Sequence, residues 1–263
     1  SSFGYGLFQF IDREPSAVYN KTNSPLENAH GNEGFYCRVD GLAFDKEGNL
    51  WMTNSEVSKA IKILDKEGKW HSLSVESLNG KYTINDILVT SNNDKWINIS
   101  RPTSQACLTV VTNSNSLDEA TSYEFKNFID TDNNDFSPNN YTCMAEDKNG
   151  YIWIGTNNGL YRYDKKETFI PYNFIDGIPS SIFTLCPPVQ DQQGNIWMGS
   201  KWDGIIQLSP KRDGSFQIRN YVHKEEDPYS LNNNSIYCIY QDSKKRMWIA
   251  THGGGINLLQ ETA

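Results

Sequence analysis

Short apolar runs alternate with polar, turn-forming segments along the chain, and they do so in a recurring order. An apolar run such as Leu42–Phe44 is followed by Asp-x-x-Gly and then by a second run that contains tryptophan. Asp accepts hydrogen bonds from nearby backbone N–H groups and Gly tolerates positive φ, so the polar segment predicts a tight turn. Each unit is therefore expected to begin with a β-hairpin.

This frame is an internal repeat. Four copies place Trp six residues after Asp, starting at Asp45, Asp147, Asp191 and Asp242, and a degenerate copy, Thr90–Trp96, keeps the offset without the Asp. The five Trp residues are spaced by 45, 57, 44 and 51 residues. Such a period is typical of a four-stranded propeller blade.

Two further strands complete each unit. Third strands are predicted at 159–163, 205–208 and 256–259, and aromatic-rich fourth strands at 169–172 and 216–221. A single four-stranded sheet cannot bury both of its faces, so the sheets must pack against one another around an axis. The predicted fold is an all-β propeller of four-stranded antiparallel blades, with Trp filling the space between neighbouring blades.

The chain is predicted to form a single propeller domain or a propeller fragment. Five blades are predicted at approximately 37–74, 82–128, 141–174, 181–222 and 235–259. Residues 1–20 predict third and fourth strands without a first and second, so they belong to a preceding or closing blade. They could complete the sheet begun at the C-terminus, or the chain could be an excerpt of a larger or double propeller. The excerpt is preferred because a third strand is present at both ends.

Composition and charge limit the fold class and the kinds of partner that the chain is expected to bind. Hydrophobic residues make up 37% of the chain and aromatic residues 13%, which suits short strands better than long helices. The net charge of −8 and the absence of a Lys/Arg-rich run argue against a positively charged surface that would bind nucleic acid or an anionic membrane. No apolar run approaches the ~18 residues of a membrane-spanning helix. The first residues do not resemble a signal peptide.

Cysteine, histidine and carboxylate positions give little support to catalysis. The five cysteines lack CxxC spacing, and Cys143, Cys186 and Cys238 are predicted to be buried, inert thiols because they recur near one repeat position. The four histidines share no ligand spacing. The segment 130–134 is similar to the start of a calcium loop but lacks its later Gly and Glu. No enzyme activity, cofactor or metal is expected.

The segments 147–164, 191–208 and 221–259 resemble the two-component regulator propeller repeat. The resemblance implies the periplasmic sensor region of Bacteroidetes hybrid two-component systems, in which many members respond to glycan breakdown products. Residues 39–73 look closer to a propeller protein of the type IX secretion system. Both resemblances imply a location in the periplasm or at the cell surface.

Strand alternation places the loops between second and third strands, and those between blades, on one face. Variable loops carry function on such scaffolds. Trp202 beside Lys201 and Asp203 could stack a sugar ring and bond its hydroxyls, although Trp202 could equally be a further packing residue. The glycine-rich loop around His252 could approach a ligand or simply turn sharply. The remaining candidates on this face are Asn157, Asn158, His223 and Tyr229.

We therefore expect a ligand-binding sensor module that recognises a small molecule or an oligosaccharide. Further propeller or signalling domains outside this chain are expected partners, and so is a second copy in a homodimer. The alternatives are a surface or secretion-associated interaction propeller without signalling, and a propeller lyase or glycosidase. Two facing carboxylates at catalytic separation would favour the last.

Overall fold

The structure, a computed structural model, describes most of the chain. The described residues are 3–29, 34, 36–99, 108–112, 115–125, 128–129, 132–133, 135–136, 141–156, 159–172 and 186–259. Their regular secondary structure is entirely β-strand. Over these ranges, no helix of a length and apolarity that would cross a membrane is found. The chain divides into two compact units, residues 1–127 and 128–263.

The first unit contains a five-stranded sheet in the order β1-β4-β5-β6-β7, a four-stranded sheet in the order β8-β9-β10-β11, and the pair β2-β3, all antiparallel. Its strands are β1 (Phe3–Gly4), β2 (Leu7–Ile11), β3 (Glu14–Tyr19), β4 (Cys37–Phe44), β5 (Leu50–Asn54), β6 (Ile61–Leu64), β7 (Trp70–Leu73), β8 (Ile84–Val89), β9 (Lys95–Ile99), β10 (Leu108–Val111) and β11 (Ser122–Phe125).

The second unit contains two four-stranded sheets, β14 to β17 and β18 to β21, a three-stranded sheet, β22 to β24, and the pair β12-β13. Its strands are β12 (Phe128–Ile129), β13 (Asp135–Phe136), β14 (Tyr141–Glu146), β15 (Ile152–Thr156), β16 (Gly159–Tyr163), β17 (Phe169–Pro171), β18 (Val189–Gln190), β19 (Ile196–Gly199), β20 (Ile205–Pro210), β21 (Phe216–Tyr221), β22 (Ile236–Gln241), β23 (Met247–Thr251) and β24 (Gly255–Leu259).

The hairpin turns explain the spacing of the repeat. Asp147 Oδ1 accepts the backbone N–H groups of Asn149 at 2.9 Å and Tyr151 at 3.0 Å. Its Oδ2 accepts the indole N–H of Trp153 at 2.9 Å. One carboxylate thus fixes both the turn and the Trp side chain six residues later. The same indole bond, at 2.8–3.0 Å, joins Trp51 to Asp45, Trp197 to Asp191 and Trp248 to Asp242.

In the degenerate copy, Thr90–Trp96, different side chains stabilise the turn. Thr90 Oγ1 accepts the Asp94 N–H at 3.1 Å, in place of the Asp carboxylate. Asn93 takes the position of the glycine with φ of 68°, which Asn tolerates better than most residues. Lys95, which is buried, places its ammonium group 4.4 Å from the ring centroid of Trp51. A threonine and an asparagine therefore serve in this turn where the Asp and Gly are absent, while Lys95 contacts the Trp of the neighbouring sheet.

Three of the five repeat tryptophans, Trp51, Trp153 and Trp197, pack between sheets, as predicted. Trp153 is 1% exposed and shares a hydrophobic cluster with Ile196, Met198 and Leu208 of the next sheet. Trp197 belongs to a cluster with Ile236, Ile239, Met247 and Ile249 of the sheet that follows. Trp51 likewise joins a cluster with residues of β8 and β9. Each of these three sheets therefore buries its Trp against a neighbouring sheet.

Two details differ from the sequence prediction. Cys143 and Cys186 are buried, but Cys238 is exposed. Ile236 and Ile239 of β22 turn into the shared core, which leaves Cys238 and Tyr240 on the solvent-exposed face of that sheet. In addition, β1 pairs with β4 and adds a fifth strand to its sheet. Whether residues 1–20 belong to a closing blade remains a prediction.

Candidate functional site

Three loops meet at one end of the sheets in the second unit. They are residues 200–204 between β19 and β20, residues 222–235 between β21 and β22, and residues 252–254 between β23 and β24. Gly204 N–H donates to Asn234 O at 2.9 Å, and His252 N–H donates to Ser235 O at 2.8 Å. Ile236 N–H donates to Ser200 O at 2.8 Å. These backbone bonds hold the three loops together, and we call this surface the loop face.

Trp202 projects from the first loop and is 60% exposed, so the alternative of a packing Trp does not hold. The Lys201 ammonium lies 4.6 Å from the ring centroid of Trp202, a cation–π contact. Asp203 N–H donates to Ser200 Oγ at 2.5 Å. Partial burial raises the pKa of the Asp203 carboxyl. The predicted trio is therefore present as an exposed ring flanked by a cation and an acid.

Gly204 fixes how this loop ends. Its φ is +74°, and a Cβ at this position would lie 2.1 Å from the backbone oxygen of Tyr221. Any other residue would force the loop away from β21, since backbone atoms cannot yield at that distance. The position of Trp202 thus depends on a glycine two residues later.

The second loop folds on itself and exposes one ring. His223 N–H donates to Asn234 Oδ1 at 2.6 Å, and His223 Nδ1 lies 2.6 Å from Leu231 O. Tyr229 N–H donates to Asp227 Oδ1 at 3.0 Å, while the Tyr229 side chain is 97% exposed. His223 therefore acts as an internal support of the loop, and Tyr229 is its exposed aromatic group.

The third loop needs its glycines for backbone geometry. Gly253 and Gly255, the latter at the start of β24, have φ of +73° and +80°, and a Cβ on Gly254 would lie 2.9 Å from Cβ of Asn232. Of the two readings of this loop, the sharp turn is sufficient to explain it. The ring of His252 lies 5.5 Å from that of Tyr237, which is 55% exposed.

The structure brings together Lys201, Trp202, Asp203, His223, Tyr229 and His252 through neighbouring loops of one unit. Asn157 and Asn158 lie outside the described residues. Tyr237 was missed by sequence reasoning, although it directly follows Ile236, and a buried residue in a strand is normally followed by an outward one. Among the residues that the structure describes, no group of three or more His, Cys, Asp or Glu side chains could hold a metal ion.

Another histidine has a structural role. In the first unit, His71 Nε2 lies 2.9 Å from Asp65 Oδ2 and His71 Nδ1 lies 2.8 Å from Asp118 Oδ1. The hydrogen bonds to Asp65 and then Asp118 raise the pKa of His71. Because Asp65 follows β6 and Asp118 precedes β11, the imidazole ties two neighbouring sheets together.

Known proteins share the repeat. The family described as the two-component regulator propeller matches residues 135–158 and 230–253, so the chain carries this repeat. Histidine kinase P4 of Formosa agariphila is 28% identical over an alignment of 111 residues, and the match covers 39% of this chain and 8% of the kinase.

Solved structures share the fold. PorZ, a surface component of the type-IX secretion system of Porphyromonas gingivalis, matches 97% of this chain with a TM-score of 0.83 at 22% identity. A protein described as the extracellular domain of a hybrid two-component system from B. thetaiotaomicron matches 98% with a TM-score of 0.66 at 23% identity. The chain covers 36% and 31% of these two proteins. The predicted all-β propeller fold is confirmed.

Proposed function

We propose that this chain is the ligand-binding part of an extracytoplasmic sensor propeller in a hybrid two-component system, and that it recognises a carbohydrate on its loop face. The observation that carries the proposal is the exposed Trp202 ring, held by a loop that is bonded to its neighbours and flanked by Lys201 and Asp203. A large aromatic ring held at the surface by a fixed loop offers an apolar face on which a ligand can stack.

The chemistry of the loop face suits a neutral sugar. The apolar face of a pyranose ring can stack on an indole, while Lys201 and Asp203 supply a donor and an acceptor for hydroxyl groups. Tyr229 and Tyr237 add further exposed rings on neighbouring segments. The net charge of −8 disfavours anionic ligands, because the field of the protein repels them.

The sensor role is supported by the repeat and by two relatives, one named as a histidine kinase and one as part of a hybrid two-component system. The B. thetaiotaomicron protein is described as an extracellular domain and PorZ as a surface component, which supports a location outside the cytoplasm. An extracytoplasmic propeller that senses sugars would pass occupancy to a signalling domain of the longer protein.

A second candidate is a surface interaction propeller associated with secretion. It is favoured by the similarity to PorZ, whose TM-score of 0.83 exceeds the 0.66 of the two-component protein. The two candidates differ in what the gene encodes after this segment. A membrane-spanning helix and a histidine kinase would support the sensor, and a chain without them would support the interaction propeller.

Calorimetric titration of the purified chain with a panel of oligosaccharides tests the ligand class. We expect at least one glycan to bind. We expect Trp202→Ala to weaken its affinity by roughly tenfold or more, taking as the scale the ~1–3 kcal/mol that alanine substitution removes from stacking of a base on an aromatic ring. Tyr240→Ala is the matched control, because Tyr240 is 61% exposed but lies at the other end of β22.

The proposal fails in two distinguishable ways. If no glycan in the panel binds, the carbohydrate class is wrong. If a glycan binds wild type, Trp202→Ala and Tyr240→Ala with equal affinity, the ligand class stands and the loop-face site is wrong.

A further inference from the structure

Aromatic rings hold Arg162 at the end of the sheet β14 to β17 where its hairpin turns lie. Arg162 is opposite Trp153 in the pairing of β15 with β16. Its guanidinium carbon lies 4.6 Å from the ring centroid of Tyr151, 5.6 Å from that of Tyr172 and 5.7 Å from that of Trp153. Three cation–π contacts therefore fix the position of this cation.

The guanidinium of Arg162 lacks an acceptor. Its Nε is buried and has no hydrogen-bond partner in the part of the chain that the structure describes. Over the same residues its two Nη atoms take part in no hydrogen bond or ion pair. A guanidinium carries only donors, and donors that leave water are normally paired. Because the side chain is partly exposed, an acceptor from outside can reach the Nη groups.

Two other arginines show what is missing. Arg246 stacks on the Trp ring of its own sheet, and its Nε also donates to Asp242 Oδ2 at 2.7 Å. Arg38 lies over a tyrosine ring, and its Nε donates to Asp40 Oδ2 at 3.0 Å. In both cases a carboxylate accompanies the ring. Arg162 has the rings without the carboxylate.

The acids of the two turns beside Arg162 do not supply this carboxylate. Both oxygens of Asp147 accept donors from its own turn and the indole N–H. Both oxygens of Asp164 accept backbone and hydroxyl donors of the following turn. Glu167 is exposed and forms no ion pair within the described residues. The local carboxylates therefore stabilise the turns and leave the guanidinium unpaired.

Two lysines at the same end are fixed by neutral groups. Lys165 Nζ donates to Asn149 O at 2.6 Å and lies 5.4 Å from the ring centroid of Tyr151, the ring that the guanidinium also contacts. Lys148 Nζ donates to Asp191 O, a backbone carbonyl of the next sheet. Carbonyl oxygens do not cancel a positive charge, and like charges near one ring repel each other. An anion would be attracted to all three cations.

We propose that this end of the sheet is a binding site for the carboxylates of an acidic polypeptide segment, with Arg162 as the central donor and Lys165 and Lys148 as flanking cations. The rings cover the face of the guanidinium, so its Nη N–H groups can donate in plane to the two oxygens of one carboxylate. We call it the turn-end site. It lies at the opposite end of the sheets from the loop face and takes an anion, so it goes beyond the proposed recognition of a neutral sugar.

An acidic polypeptide is favoured over a single small anion by the arrangement of the cations. They come from β16 and from two turns, 147–151 and 164–168, so each cation can engage a different carboxylate. Successive acidic side chains on one chain bind with a high effective concentration once the first is held. Arginine and tyrosine are also the residues that are enriched where protein surfaces dock.

Calorimetric titration of the purified chain with an end-blocked hexaglutamate peptide at low salt tests the site. We expect binding, and we expect Arg162→Gln to weaken the affinity by roughly tenfold or more, because a charge-assisted bidentate pair is lost. Arg219→Gln is the matched control, since Arg219 is exposed on β21 and the substitution removes the same charge. It should change the affinity by less than about twofold.

Lys165→Gln is a second variant, which keeps Arg162 and its rings in place. It should weaken hexaglutamate binding by about threefold, because an exposed cation contributes less than a paired guanidinium. Trigalacturonate, titrated in parallel, carries its carboxylates on sugar rings and distinguishes the source of the carboxylate. We expect it to bind more weakly than hexaglutamate.

Three results would overturn the proposal. The site is wrong if hexaglutamate does not bind wild type, or if Arg162→Gln and Arg219→Gln bind it equally well. If circular dichroism shows that Arg162→Gln does not fold, Lys165→Gln decides instead, and an affinity equal to that of Arg219→Gln rejects the site. Trigalacturonate that binds as tightly as hexaglutamate, and is weakened by the same substitution, would overturn the assignment to a polypeptide.

Discussion

At one end of the sheets in the second unit the hairpin turns repeat one another, and at the other end no two loops have the same sequence. In the turns, the carboxylates of Asp147 and Asp191 accept fixed backbone and indole donors. In the loops, backbone bonds fix the chain but leave the rings of Trp202 and Tyr229 exposed. A carboxylate whose acceptor sites are used internally stabilises the fold, whereas an exposed ring on a fixed loop is available to a ligand.

Two tryptophans give the largest test of this difference. Trp153→Ala should lower the free energy of unfolding by about 3–5 kcal/mol, because the side chain is 1% exposed and fills the space between two sheets. Urea denaturation followed by circular dichroism measures the change. Trp202→Ala is the control and should change the value by less than about 0.5 kcal/mol. Equal losses in the two variants would show that Trp202 is a core residue and remove the distinction.

A smaller effect is expected from the turn carboxylate itself. Asp191→Ala removes the acceptor for the Asn195 N–H and for the Trp197 indole, and should cost about 1–3 kcal/mol in urea denaturation. Asp164→Ala is the matched control, because Asp164 accepts backbone and hydroxyl donors of its turn and no indole. Asp164→Ala should cost less than Asp191→Ala, because it breaks no bond to an indole. Equal costs of the two substitutions would show that the bond to the Trp197 indole adds nothing to the free energy of unfolding.

The smallest effect concerns pH. The Trp248 indole N–H, together with donors from Arg246 and Lys244, holds the pKa of Asp242 well below its usual range. A carboxyl whose pKa is lowered on folding stabilises the fold above its unfolded pKa of about 4, and this stabilisation is lost as pH falls below that value. Trp248→Phe removes the indole donor. The thermal midpoint of the variant should therefore fall less between pH 5 and pH 2.5 than that of wild type. A parallel fall in both would exclude the indole as the cause.

The turn end could be predicted from sequence because its chemistry is local. Asp147 and Trp153 are six residues apart, and one carboxylate reaches two backbone N–H groups of the turn as well as the indole N–H. The copy at Thr90 shows the limit of such reasoning. The contact between Lys95 and the Trp51 ring joins two sheets, and the spacing of residues within the repeat does not predict it.

The loop end was less predictable because its contacts are not local. Sequence placed Trp202 in a loop but could not decide between burial and exposure. That outcome depends on Gly204 passing close to the backbone of Tyr221, which is distant in sequence. Cys238 shows the same limit: its repeat position matches that of the buried Cys143, yet it faces solvent because the two sheets differ in what packs against them.

Trp51, Trp153 and Trp197 each lie in a core shared with a neighbouring sheet of the same unit, and this has a consequence for how each unit unfolds. The stability of such an array resembles a chain of nearest-neighbour couplings, in which each sheet adds little alone and each interface adds much. Loss of Trp153 should weaken both sheets that it joins, so damage at one interface spreads along the array. An array of this kind can also be lengthened or shortened by whole sheets at the cost of one interface each, so the number of repeats can change while the remaining turns keep their own hydrogen bonds.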